Sequence, residues 1–167
     1  MFSAVVYNSV SGSCKRYAEM ISAKLSIPAV DMKNAHVRSD GKVIYVSWLM
    51  AAKITGLEKA MEKFNVGAVV QVGMGAVSEK SEAFAREKNS INPEIPVFCN
   101  QGAFDLNKLP LHFRIIMKMK NKEIAERLNK KGNLNEQEKA TLKMAETGKG
   151  EPACWYVSDI VEWCKAH

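Results

Sequence analysis

Val5-Val6-Tyr7-Asn8-Ser9-Val10-Ser11-Gly12-Ser13-Cys14-Lys15-Arg16-Tyr17-Ala18 is the stretch that decides the fold of this chain. An apolar run over residues 2–7 has the length and content of a buried strand. It ends in a small, hydroxyl-rich loop with one glycine. A helical pattern begins at once, with Tyr17, Met20, Ile21 and Leu25 on one face of a helix expected over residues 15–25. Such a loop offers an anion backbone N–H groups, Ser hydroxyls and the positive end of a helix dipole. It carries no acid or base of its own, so it reads as a holder for a phosphate that is gripped rather than cleaved. The same residues also suit an ordinary strand-to-helix turn with capping serines.

The pattern of the first unit repeats along the chain. Residues 27–31 form a short strand behind Pro28, and residues 42–48 the clearest strand, after an Asp40-Gly41 turn. Residues 57–64 are helical, with Leu57, Ala60, Met61 and Phe64 on one stripe. A fourth strand is expected over 67–72, a helix over 81–88, a fifth strand over 96–99 and a closing helix from about Trp155, with Ser158 as its N-cap. Apolar strands alternating with amphipathic helices imply an α/β fold whose parallel sheet is covered on both faces.

Between Gly102 and Pro152 about fifty residues precede the last helix, too many for a plain loop. Leu111–Lys131 reads as a helix with Phe113, Ile116, Met117, Ile124 and Leu128 apolar and seven Lys/Arg against two Glu. A second helix is expected over 135–146, where Asn135 can cap and Glu138 lies three residues on. This insertion, residues 103–151, carries most of the chain's +6 net charge: residues 103–150 hold eleven Lys/Arg against six Asp/Glu.

The bulk composition, 47% apolar and 25% charged over 167 residues, suits one soluble domain with a single core. No run approaches the roughly 20 apolar residues of a membrane span, and the N-terminus lacks the basic start and length of a signal peptide. Cys14, Cys99, Cys154 and Cys164 show no metal spacing, and free thiols in a cytoplasmic setting are expected. Cys14 stands where a helix N-terminus lowers a thiol's pKa, but a phosphatase would need Arg where Met20 stands. A phosphoacceptor Asp is missing after the third strand, where Ser47 and Trp48 are found. Gly73-Met74-Gly75-Ala76-Val77-Ser78 lacks the third glycine of a dinucleotide fingerprint and comes too late in the chain. Three histidines without a nucleophile elbow exclude a serine hydrolase. No side chain stands out as catalytic, no metal ligands are expected, and nucleic acid is not among the expected partners.

Ser9, Ser11, Gly12 and Ser13 resemble the phosphate loop of the flavodoxin-like family, Ser/Thr-x-Thr-Gly-x-Thr, with Cys14 where the last Thr usually stands. The resemblance implies a flavodoxin-like three-layer sandwich, a five-stranded parallel sheet in the order 2-1-3-4-5, and FMN as cofactor. Ser9, Val10, Ser11, Gly12, Ser13 and Cys14 would hold its phosphate. Ser47, Trp48 and Leu49 would cover one ring face, unless Trp48 merely covers the sheet edge. Gly73, Met74, Gly75 and Ala76 would border the pyrimidine end, and Gln101 and Gly102 would complete the site.

Gly102-Ala103-Phe104 and the run from Leu109 to Lys120, with the tail Trp155-Tyr156-Val157-Ser158-Asp159-Ile160, resemble the bacterial flavodoxin-type protoporphyrinogen oxidases and their relatives. That group oxidises a porphyrinogen and passes the electrons to a membrane quinone. The basic helix Leu111–Lys131 would then meet an anionic membrane surface or a tetrapyrrole's propionates, or else pack on the domain with its lysines solvated. Residues 48–53 and 133–149 depart from that group. Three functions therefore compete: an oxidoreductase with its own porphyrinogen- or quinone-like substrate, an electron carrier between protein partners, and a binding module without a cofactor.

Overall fold

In a computed structural model of the chain, residues 1–37, 40–75, 77–150 and 157–167 are described. The parallel sheet is formed by β1 (Phe2–Asn8), β2 (Ala29–Asp31), β3 (Lys42–Met50), β5 (Asn65–Gly73) and β6 (Val97–Gln101) in the order β2-β1-β3-β5-β6, and a short β4 (Lys53–Ile54) pairs with β3 from outside it. Apart from β4 this is the flavodoxin-like order. Crossovers in it reverse direction at β1 and β3, which leaves a crevice beyond the carboxyl ends of those strands.

The central strands are apolar on both sides because both sides are covered. Helices α1 (Ser13–Leu25) and α6 (Val157–Ala166) lie on one face with Val5, Ile44, Val46 and Val70 beneath Tyr17, Ile21 and Ile160. On the other, α2 (Leu57–Lys63) and α3 (Ser81–Asn89) cover Val6, Tyr45 and Val69 with Leu57, Ala60 and Ala85. Burying a Val, Leu, Ile or Phe side chain contributes about 1.5–3 kcal/mol, so these two layers fix the sheet on which the crevice is built.

Strand pairing brings the expected loops together. Asn8 is level with Ser47, Ser47 with Gln71, Trp48 with Val72, Val72 with Asn100 and Gly73 with Gln101. The fourth and fifth expected strands run further than their apolar content indicated, so Gly73, Asn100 and Gln101 end strands rather than start loops. Ser158 lies inside the first turn of α6 and is not its N-cap; the expected start at Trp155 lies outside the described residues.

The main addition to the expected architecture is the β3–β4 hairpin. Its turn residues Ala51 and Ala52 have φ of 47° and 70°, a left-handed conformation that alanine adopts only when its surroundings hold it there. Asn89 of α3 supplies that hold. Its side chain accepts from Ile54 N–H at 2.7 Å and donates to the carbonyls of Ala52 at 3.1 Å and Ala85 at 2.8 Å.

The insertion forms α4 (Leu111–Lys131) and α5 (Glu136–Thr147), an antiparallel pair joined across Gly132. Asn135 caps α5 through a reciprocal bond with Glu138, as the sequence indicates. Met144, Leu109 and Phe104 form a small core of their own with Phe113, Met117 and Met74. Ile116, one of the apolar residues expected in this helix, is 54% exposed, whereas Leu128 is buried. Among the described residues no helix is long and apolar enough to cross a membrane.

Candidate functional site

The loop after β1 turns sharply at Gly12, whose φ of 97° lies in the region that favours glycine, and α1 begins at the next residue. No side chain caps this helix. Its first-turn N–H groups therefore have no acceptor within the helix and face outward with the dipole's positive end. Ser9 Oγ accepts from Gly12 N–H at 3.2 Å and shapes the turn, while the Val10 side chain is 45% exposed.

Two of the expected phosphate-binding hydroxyls are engaged in the structure. Ser13 Oγ donates to the Ala103 carbonyl and accepts from Ala103 N–H at 3.0 Å, and Ser11 Oγ donates to the same carbonyl at 3.3 Å. Both serines thus tie the loop to the start of the insertion. Cys14 turns inward and packs in the core beneath α1. Burial pushes its thiol up to about 12, against a smaller opposing effect of its own backbone N–H. The depressed value expected at a helix N-terminus is overturned, because loss of solvent outweighs the dipole when the sulfur points away from it. Only the backbone of Cys14 can serve an anion.

A cavity of about 210 Å³ opens beside this loop, lined by Ser11, Gly12 and Ser13 with Arg16, Lys108 and Lys149 among its other walls. The three cations had not been singled out from the sequence. Arg16 is one helical turn from Gly12, whose carbonyl accepts its N–H at 3.0 Å, and the lysines come from opposite ends of the insertion. Nothing local in the sequence says that residues 108 and 149 meet residue 12.

Near the carboxyl end of β3, Trp48 meets Phe113 of α4 edge-on, with ring centroids 6.0 Å apart. Its Nε1 is buried without a partner. Ser47 is buried, and its hydroxyl donates to the Thr55 carbonyl at 2.6 Å, joining Tyr45 Oη and Asn8 Nδ2 on that oxygen. Leu49 packs on the α2–α3 side of the sheet. Met74 lies under the insertion, Gly75 is exposed, and Ala76 lies outside the described residues. The next N–H, of Val77, donates to Gln137 Oε1 of α5 at 2.8 Å.

Gln101 and Gly102 serve packing. The Gln101 amide donates to α5, at the Gln137 carbonyl and Thr141 Oγ1, and its carbonyl accepts from Tyr17 Oη at 2.7 Å. Gly102 N–H donates to the Gly73 carbonyl at 2.6 Å, and a Cβ at Gly102 would meet Val72 Cγ1 at 2.5 Å. The polar groups left over are side chains. Both amide atoms of Asn100 and of Asn121 on α4 are buried without partners, as is Gln71 Oε1. Asn100 is 1% exposed and Asn121 4%. Such atoms cost about 1–3 kcal/mol each when left unpaired, so Asn100 near the end of β6 and Asn121 on α4 carry unmet hydrogen-bonding capacity.

No protein-family model matches the chain, and no curated protein matches it in sequence. Among solved structures it is similar to a flavodoxin from the domain Archaea, with 16% identity over 88% of this chain and 98% of that one and a TM-score of 0.41. The fold stands on strand order and layer arrangement, independently of that distant likeness.

FMN fits what the chain offers. A phosphate suits the uncapped start of α1 after Gly12, and the unpartnered amides of Asn100 and Asn121 with Gln71 Oε1 suit a ligand rich in hydroxyl and amide groups. The indole of Trp48 suits a flat ring.

Proposed function

We propose that the chain binds FMN non-covalently in the crevice and transfers electrons through it. The observation that carries this reading is the loop at Gly12, where α1 starts without a side-chain cap beside a cavity lined by Ser11, Gly12 and Ser13. When bound, the flavin supplies the redox chemistry. The chain's own residues bind, orient and shield it. Backbone amides of residues 13 and 14 hold the phosphate, while Ser9, Ser11 and Ser13 keep the loop in shape through Gly12 and Ala103. Asn100 and Gln71 offer hydrogen bonds deeper in the crevice. Trp48 packs against the ring, and Phe113 keeps water from the indole's edge.

A second reading, an oxidoreductase of the protoporphyrinogen oxidase type working at a membrane surface, has its own support. The first half of α4 leaves Leu111, Ile115, Ile116 and Met119 between 54% and 71% exposed, with Lys118, Lys120 and Lys122 along the same stretch. An apolar patch set among lysines suits the boundary of an anionic bilayer, where a quinone would be the acceptor; without that contact a redox partner protein would be.

The test is the visible spectrum of the purified protein after incubation with FMN and desalting, followed by chemical reduction and reoxidation in air. Retained flavin absorption that bleaches and returns is expected. A protein that stays colourless with FMN refutes the proposal and leaves the cofactor-free binding module.

A further inference from the structure

The insertion begins and ends in a narrow neck beside the loop at Gly12. Its two strands are held by an antiparallel bridge between Asp105 and Lys149. Leu106 N–H donates to the Gly148 carbonyl at 2.9 Å, and Gly150 N–H to the Phe104 carbonyl at 3.0 Å. Gly148 has φ of 70°, and a Cβ there would strike Leu106 Cδ1 at 2.5 Å, so the neck's close approach depends on glycine. The neck is in turn fastened to the loop by the bonds of Ser11 and Ser13 to Ala103. Lys108 and Lys149 therefore stand on one lip of the cavity, and Arg16 lines it from α1.

Among the described residues one carboxylate, Asp105, shares the lining. Its Oδ1 accepts from Asn107 N–H at 3.0 Å and caps the short 3-10 turn Leu106–Lys108, which commits it to structure. Lys108 and Lys149 bring positive charge to the lip of the cavity, opposite in sign to a phosphate monoester. The elements of the parallel-sheet fold alone would supply only Arg16. The other two cations arrive with the insertion.

We propose that Lys108 and Lys149 form an insertion-borne half of the phosphate site, so that the cavity takes a phosphate monoester dianion and its binding fastens the insertion to the sheet. The identity of the ester as FMN rests on the function proposed above; the anion site does not. Both lysines are exposed, so their removal leaves the core intact, and Lys149 keeps its backbone bridge whatever its side chain.

The experiment compares wild type, Lys108→Ala/Lys149→Ala and Lys108→Arg/Lys149→Arg. Each is titrated with FMN and riboflavin at low and high salt, and melted with inorganic phosphate against chloride of equal ionic strength. The double alanine variant is expected to bind FMN roughly tenfold more weakly at low salt, the sum of two exposed charge interactions. Its riboflavin binding should be unchanged and its response to phosphate lost, while the arginine variant behaves as wild type. The difference from wild type should shrink at high salt, where screening acts within a few ångströms. If phosphate stabilises wild type through these lysines but FMN does not bind, the anion site stands and the flavin reading falls. If the alanine variant keeps wild-type FMN affinity, salt dependence and phosphate response, the lysine proposal is overturned and the flavin reading survives. A wild type indifferent to both FMN and phosphate overturns both.

Discussion

Replacing Gly12 with alanine isolates the backbone demand of the loop. At φ of 97° the residue sits where L-amino acids are strained, yet a Cβ at Gly12 meets nothing within 4 Å. The cost is therefore conformational rather than steric, about 1–2 kcal/mol. For a domain of this size each kcal/mol lowers the melting temperature by roughly 2–4 °C, so Gly12→Ala is expected to melt about 2–8 °C below wild type. Gly132, at the end of α4, has φ of 77° and equally open surroundings, and it provides the control. Gly132→Ala should melt lower by a similar amount. Only Gly12→Ala should weaken FMN, by about tenfold, because relief of the strain turns the first amides of α1 away from the anion. The assay is a melt of the ligand-free proteins followed by an FMN titration of each. Unchanged FMN affinity in Gly12→Ala, or an equal loss in Gly132→Ala, would refute the assignment of the loop.

Further expectations concern buried groups. Asn100→Leu should raise the stability of the ligand-free protein by about 1–2 kcal/mol by removing two unpaired amide atoms, while weakening FMN; a destabilised variant with full affinity would contradict the role given to Asn100. Asn89→Ala removes two hydrogen bonds to the β3–β4 hairpin and one within α3, and should cost about 2–3 kcal/mol in a denaturant titration. It should also perturb the fluorescence of Trp48, whose carbonyl accepts from Thr55 N–H within the hairpin. Cys14 should resist alkylation at pH 8 in the native protein. Its folded pKa of about 12 lies above the ordinary 9.0, so the folded state keeps a proton that the unfolded chain releases. Its contribution to stability is therefore intact below pH 9 and falls by about 1.4 kcal/mol per unit as pH rises toward 12. A Cys14→Ser variant with the same alkaline stability profile would contradict this.

Much of the architecture was legible because local and global signals agree. The apolar runs at Val5-Val6 and Val43-Ile44 can only be buried strands, the stripe of Tyr17 and Ile21 turns α1 toward them, and Asn135 with Glu138 marks the start of α5. The β3–β4 hairpin was not legible, since Ala51 and Ala52 stand where a turn of positive φ usually shows glycine or asparagine, and the residue that stabilises them is Asn89, over thirty positions away. The same holds for the site. The loop at Gly12 announced itself, but the inward turn of Cys14 depends on how α1 rolls onto the sheet. The use of Ser11 and Ser13 on Ala103, and the arrival of Lys108 and Lys149 beside them, depend on contacts some 40 to 140 residues apart in the chain. The apolar residues of α4 are spread around the helix, so periodicity alone does not say that Leu128 is buried and Ile116 exposed.

Phosphate recognition by the loop at Gly12 is read most directly from the ratio of dissociation constants for riboflavin and FMN, which differ only in the phosphate. Hydrogen bonds to a charged group contribute about 1.5–3 kcal/mol each, so two of them from the loop at Gly12 give FMN an advantage of roughly a hundredfold or more. A ratio of that size is the expected result, and equal affinity for the two ligands would contradict the reading of this loop as a phosphate site.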